Sequence, residues 1–210
     1  MDQYKKPENA FGEVFSSTYK TFSVQAYSPR YVDTPEYGSI ILVNSGEYLI
    51  FGLICSSMFI PVTAVHSIPQ PLRKPRHEIE NLYPDLKNRI RDIYEALAIG
   101  YYDGEAFIQA IPPRKPLIHD LAYIPDEKTV KMFHASEEPR LEYLPVIMTS
   151  EYRDEAPYIL YSLAKHLKQI FNKEERKKLW KSAINTLQEW GCEDRTLYQI
   201  SKPFKAIIEG

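Results

Sequence analysis

Cysteine is nearly absent from this chain. Only Cys55 and Cys192 occur in 210 residues. Two isolated thiols build no disulfide framework, and neither stands in a Cys-x-x-Cys pair. A reducing compartment follows, and the cytoplasm is the expected location. Glycine is scarce too. The eight are Gly12, Gly38, Gly46, Gly52, Gly100, Gly104, Gly191 and Gly210. No spacing among them gives GxxxxGK or GxGxxG, the loops whose backbone amides approach phosphate. That excludes a P-loop motor. No apolar run reaches the about 18 uninterrupted residues of a membrane span. Residues 1–10 carry no apolar leader core, so no membrane association is expected. Net charge is small as well, with 26 basic against 28 acidic residues for a balance of -2. This excludes a protein that coats nucleic acid by charge alone, though not a local basic patch.

What remains is globular composition, 44% hydrophobic and 26% charged. The 16 tyrosines, with abundant Lys, Glu and Ile, lean towards a thermophile. The first half reads as strands. Phe22, Val24 and Ala26 alternate with Ser23, Gln25 and Tyr27, the period of a half-buried strand. Ile40 to Val43 and Tyr48 to Ile54 are apolar runs on either side of a turn at Asn44-Ser45-Gly46, which makes a buried hairpin. Gly52 inside the second run marks a bulge or sharp bend of the kind closed barrels use. Residues 59–77, with Pro61, Pro69, Pro71 and Pro75, read as a loop or extended crossover. Leu86, Ile90, Ile93 and Leu97 recur at helical spacing behind an Asp85 N-cap. Ala96 to Tyr102 then reads as a strand, Asp103-Gly104 as a type I′ turn, and Glu105 to Ile111 as its partner. Pro112 to Pro116 is a rigid crossover.

Helices dominate the second half. Asp126 caps a short one running to Phe133, and Ser136 to Pro139 is a polar break. Leu160, Leu163, Leu167, Ile170 and Phe171 share a face. Asn172 with Glu175 forms a capping box, and Trp180, Ala183, Ile184 and Leu187 continue as a stripe up to a stop at Gly191. Leu197, Ile200, Phe204, Ile207 and Ile208 could line a last helix around Pro203. The expected fold is α+β: a small N-terminal β-barrel with an inserted helix, followed by a C-terminal helical hairpin or bundle. The division falls as a barrel-containing domain over 1–148, its core about 11–115, and a helical region over 149–210.

The residue types that carry chemistry are dispersed. His66, His77, His119, His134 and His166 include no HxH or HExxH pair. His119-Asp120 is half of a metal site of the His-Asp phosphohydrolase type, or else a histidine held by a carboxylate at a strand or loop end. A doublet alone supplies too few ligands, which favours the second reading. Asp103 and Glu105 flank a hairpin tip. A nuclease needs several acids converging on magnesium, whereas turn chemistry and a solvated edge explain two. No Gly-x-Ser-x-Gly elbow occurs. Cys55 lies in an apolar strand as inert core. No catalytic residue, metal or cofactor is expected. Two basic stretches sit in the proline-rich segments, Arg73, Lys74 and Arg76 in one and Arg114 and Lys115 in the other. Brought together by the barrel, they would form a patch able to grip phosphates or an acidic partner. Lys173, Arg176, Lys177, Lys178 and Lys181 alternate with Glu174 and Glu175, as a solvated helix face does.

Gly12-Glu13-Val14, Phe22 and Val24, Tyr37-Gly38-Ser39-Ile40-Ile41-Leu42-Val43 and Phe51-Gly52-Leu53-Ile54 together resemble the HAS-barrel. That small barrel is shared by HerA-type DNA translocases and rotary ATP synthase catalytic subunits. The likeness covers about the first 60 residues and extends loosely to 115. Ser39 and Ile40 depart from it, since an acid and an aromatic usually follow that glycine. In the translocases the barrel precedes a RecA-like motor and helps subunits and a partner nuclease dock. The family's catalytic residues lie in that motor, so none transfers here. The resemblance therefore implies a non-catalytic adaptor or assembly module whose partner is a HerA-type ATPase or a second copy of itself. Direct nucleic-acid binding through the basic segments is the alternative, and a metal-dependent hydrolase built on His119 and Asp120 is the third.

Overall fold

The computed structural model describes residues 1–27, 35–61, 73–83, 90–135, 138–193, 197–198, 200–201 and 205. The strands are β1 (Gly12–Ser17), β2 (Thr21–Ala26), β3 (Ile40–Ser45), β4 (Tyr48–Pro61), β5 (Ile90–Tyr102), β6 (Phe107–Ile108) and β7 (Leu121–Tyr123). The helices are α1 (Arg76–Leu82), α2 (Glu127–His134), α3 (Leu144–Met148), α4 (Ala156–Ile170) and α5 (Lys173–Glu189). Pairing runs β1-β7-β3-β4-β5-β2 and back to β1, every pair antiparallel, which closes a six-stranded barrel. β6 adds to β5 outside the ring. The class is α+β, as the strand and helix patterns imply.

Alternation along β3 and β4 sends side chains into two separate cores. Ile41, Val43, Ile50 and Ile54 point into the barrel. Ile40, Leu42, Leu49, Phe51, Leu53 and Cys55 point outward and pack with residues of α2 to α5, among them Phe133, Leu144, Ile159, Leu163, Leu167 and Leu179. Burial on both faces is why these strands read as unbroken apolar runs. The second core draws residues from both sides of position 148, so the helices lie against the barrel wall.

Size complementarity fills the barrel. Ala26, Ala96, Ala98 and Ala122 leave room for Phe11, Phe22 and Tyr94. Small barrels alternate small and large residues in this way. Gly52 is the tightest case: a Cβ there would collide with the Phe22 ring. Gly100 does the same outside, where a Cβ would lie 2.5 Å from Phe133. The Phe133 ring stacks on Phe51 at 4.2 Å between centroids, with planes 10° apart.

The structure corrects several expectations. Residues 90–97 are not helical, because β5 begins at Ile90. Leu97 and Ile99 face the helices while Tyr94, Ala96 and Ala98 face the barrel, so apolar residues fall at nearly every position and mimic helical spacing. Asp85 and Leu86 lie outside the described residues. Among the described residues the inserted helix is α1, which begins at the end of the stretch expected to be a loop, and Pro75 stands at its N-cap. Phe59 to Pro61, also assigned to that loop, continue β4. The β3–β4 turn is Gly46-Glu47, with Gly46 at φ 70°. The Asp103-Gly104 turn is not type I′, which needs positive φ at both residues; only Gly104 has it. Instead the Asp103 carboxylate accepts the amides of Glu105 at 2.9 Å and Ala106 at 2.8 Å. The return strand shortens to Phe107–Ile108.

The helix ends follow their sequence signals. Asp126 accepts the Thr129 amide at 2.7 Å and caps α2. Asn172 and Glu175 complete the capping box of α5. Leu197, Tyr198, Ile200, Ser201 and Lys205 are helical, while Pro203, Phe204, Ile207 and Ile208 lie outside the described residues.

The close approach of Phe22 to Gly52 yields a stability test. Gly52→Ala overpacks the barrel and costs about 1–3 kcal/mol. In a Phe22→Leu background the same substitution costs less than half as much, read as the shift of the urea midpoint.

Candidate functional site

Closing a sheet into a barrel removes its edges. β4 and β5 outrun that closure. Pairing of β3 with β4 ends at Ile40–Leu53, followed by backbone bonds between Ile54 and residues 38 and 39. Pairing of β2 with β5 ends at Gln25–Ile93. β4 and β5 nevertheless stay paired to Pro61–Ile90. Register slips between Ile54 and Ser56, leaving Cys55 as an extra residue. Such a bulge bends the strand and strengthens its twist, here where the barrel ends. Beyond it Phe59, Ile60 and Pro61 pair with Asp92, Arg91 and Ile90 as a two-stranded ribbon, with no third strand among the described residues.

The ribbon exposes large apolar groups. Met58 is 42%, Phe59 54% and Ile60 41% accessible. Ser56 to Pro61 carry no charge. Natural proteins protect strand edges with lysine, proline, bulges, short length or a covering segment. On β4 the Cys55 bulge and Pro61 are two such devices, while Ser56 to Pro61 contain no lysine.

The basic residues singled out from the sequence lie in two places. Arg73, Lys74 and Arg76 follow the far end of β4, where Arg73 has φ 51° and Arg76 opens α1. Arg114 and Lys115 lie on the loop before β7, and Arg114 reaches Glu47 of the β3–β4 turn at 3.5 Å. Lys74 pairs with Glu78 at 3.2 Å. Both pairs are exposed and therefore weak, worth at most about 1 kcal/mol each.

His119 stands beside a carboxylate, but that carboxylate is Glu13 of β1. His119 Nδ1 lies 2.9 Å from Glu13 Oε2, and the Tyr27 hydroxyl donates to Oε1 at 2.9 Å. These two hydrogen bonds, His119 first, hold the Glu13 carboxyl below its ordinary range. Asp120 turns the other way and accepts the Leu117 amide at 2.6 Å. The doublet thus divides between two loop-fastening contacts. Among the described residues, no group of three or more His, Cys, Asp or Glu side chains could hold a metal ion. Burial pushes the Cys55 thiol up to about 12, so it stays protonated.

Among several buried polar groups, the node at His134 lies between helix and break. His134, at the end of α2, is fully enclosed. Its Nδ1 lies 2.8 Å from the Val130 carbonyl and its Nε2 2.9 Å from the Tyr143 hydroxyl. A carbonyl only accepts, so Nδ1 carries the proton, and Nε2 accepts from Tyr143. The ring is neutral, and burial lowers its pKa to about 4. Periodicity revealed nothing of this node, because its partner lies nine residues away across a polar break.

No helix among the described residues is long and apolar enough to cross a membrane. No family model matches the sequence, and no curated protein matches it either.

His134 sets a pH dependence. Its folded pKa lies below its unfolded value near 6.5, so its contribution is complete above about pH 6.5 and falls as pH drops towards 4, by up to about 1.4 kcal/mol per pH unit. The Asp126 carboxyl, held at about 2 by hydrogen bonds that outweigh its burial, titrates well below this window. Urea unfolding at pH 7 and pH 5 should show the wild type weakened at pH 5, with His134→Gln losing most of that difference.

Proposed function

We propose that this chain is a non-catalytic docking or assembly module that binds another protein through the β4–β5 ribbon. The single observation behind this reading is the uncharged, apolar and exposed strand Ser57–Pro61, carried beyond a barrel whose other long strands are paired on both sides. Burying one such side chain against a partner contributes about 1.5–3 kcal/mol. An added strand would also engage the backbone groups of β4 on the side β3 leaves.

The partner we favour is a HerA-type ATPase or a second copy of this chain, on the strength of the likeness of residues 12–54 to the HAS-barrel. In that family the barrel is a docking element, and a barrel with a projecting ribbon is well built for the same use. Accessibility supports the choice: among the described residues, Met58 and Ile60 of the ribbon belong to neither of the two buried cores. DNA processing is the corresponding cellular setting, and the cytoplasm the corresponding location.

Met58→Lys with Ile60→Lys places two charges on the ribbon and leaves both cores untouched. The double variant should melt within about 2 °C of the wild type, since exposed substitutions away from special contacts are nearly neutral. It should lose the partner recovered by the wild type in affinity capture from native lysate, or, for self-association, run at the monomer mass in light scattering. Wild-type capture that recovers no ATPase or DNA-repair protein, together with a monomeric mass, overturns the proposal. Binding to DNA or RNA at low salt that Arg73→Ala with Arg114→Ala weakens would favour the nucleic-acid alternative.

A further inference from the structure

The root of the β4–β5 ribbon is flanked by acidic side chains. Cross-strand neighbours share a face, and alternate residues along a strand do too. Ser56, Met58 and Ile60 of β4 therefore lie on one face with Glu95, Ile93 and Arg91 of β5. The Glu95 carboxylate accepts the Tyr152 hydroxyl at 2.8 Å, which turns this face towards the segment before α4. On the other side of β4, where β3 ends, the Gly38 amide donates to the Ile54 carbonyl at 2.9 Å. An added strand would take the next place along that edge, beside Tyr37. The Tyr37 hydroxyl lies 3.5 Å from Glu155 Oε2. The barrel-proximal end of such a strand would thus stand between Glu95 and Glu155.

These carboxylates are not neutralised locally. Among the described residues, Glu95, Glu151 and Glu155 make no ion pair. All three reach the bulge: burial raises the Cys55 thiol first, and Glu155, Glu95 and Glu151 raise it further. Glu151 and Glu155 are exposed, as is Glu36 beside Tyr37, which lies 3.6 Å from His166. Arg153, between Glu151 and Glu155 in sequence, acts on the Cys192 thiol. Arg91 is four residues from Glu95 along β5, about 13 Å at the rise of a strand. The docking edge is therefore apolar at Met58 and Ile60 and negative where it meets the barrel.

We propose that the segment docking on β4 is an apolar strand of another protein, with a lysine or arginine at the end that abuts the barrel. The identification rests on the docking role proposed for the ribbon and adds the partner's charge to it. Such a strand bonds to backbone groups of β4 on the side β3 leaves, and its alternate side chains meet Met58 and Ile60. Its terminal cation meets Glu95, Glu151 and Glu155, and charge complementarity of this kind sets register and excludes wrong partners. A long basic side chain can lay its stem along apolar surface while its head stays in water. Nucleic acid would bring phosphates to the same carboxylates. A second copy of this chain would bring residues 56–72, which contain no lysine or arginine. Self-pairing of β4 would leave the carboxylates unanswered.

The probes are capped, fluorescein-labelled peptides, titrated with the full chain and followed by anisotropy. Lys-Val-Thr-Val-Thr-Val and Val-Thr-Val-Thr-Val-Lys cover the two strand directions, and each is compared with its Gln and Glu counterparts. At least one lysine peptide should bind saturably. Its Gln counterpart should bind about threefold more weakly, the loss of one exposed ion pair. Its Glu counterpart should bind roughly tenfold more weakly or worse. The advantage of lysine should shrink at about 1 M sodium chloride, where the Debye length falls to about 3 Å. Glu95→Gln with Glu151→Gln and Glu155→Gln keeps an acceptor for Tyr152 and should bring Lys, Gln and Glu peptides within about twofold of one another. Should that triple variant lose its cooperative thermal transition, the wild-type series alone decides. Met58→Ser with Ile60→Ser adds no charge and should weaken every peptide roughly tenfold or more. Equal affinity of the Lys, Gln and Glu peptides for the wild type overturns this inference and leaves docking on the ribbon standing. So does a lysine preference that persists in a folded triple variant. Binding of no peptide overturns both.

Discussion

Everything in this chain depends on one wall of strands that serves two cores. β3, β4 and β5 send alternate side chains into the barrel and out to the helices, and both faces are dry. Side chains on such a wall are fixed from two directions. A one-residue slip would exchange the two sets, placing Leu42 and Phe51 in a barrel with no room for them and Ile41 and Ile50 under helices shaped for others. Gly52 and Gly100 lock the arrangement, each accepting an aromatic ring from one side of the wall.

This wall also decides what could be read from the sequence. Strands β2, β3 and the first part of β4 were legible because their runs are short, bounded and either alternating or wholly apolar. The two caps at Asp126 and Asn172 were legible because capping is local chemistry, complete within three residues. The first part of β5, from Ile90 to Glu95, was misread as helix while Ala96 to Tyr102 read as strand, because burial on both faces erases the period of two. β7 was missed altogether. It has three residues, too few for any periodicity, and its strand character comes from lying between β1 and β3.

The candidate surfaces were less legible still. Phe59-Ile60-Pro61 read as the start of a proline-rich loop, since nothing local announces that β4 continues past the barrel. The root of the ribbon joins Glu95 to Tyr152, 57 positions away. His119 and Asp120 show the converse. Adjacent in sequence, they point to different partners, Glu13 and the Leu117 amide, so that neighbourhood along the chain did not become neighbourhood in space.

The placement of β7 carries a consequence for how the chain is made. A growing polypeptide that has released residues 1–102 already holds five of the six barrel strands, arranged β1-β2-β5-β4-β3, with open edges on β1 and β3. Both edges wait for the same three residues, Leu121–Tyr123. At the usual pace of synthesis, about 5–20 residues per second, that interval lasts on the order of seconds. Throughout it, the two edges and the apolar outer wall stand uncovered on the ribosome. Exposure during birth therefore ends in two steps: the edges are closed when the last stave arrives, and the outer wall only when α2 to α5 have followed.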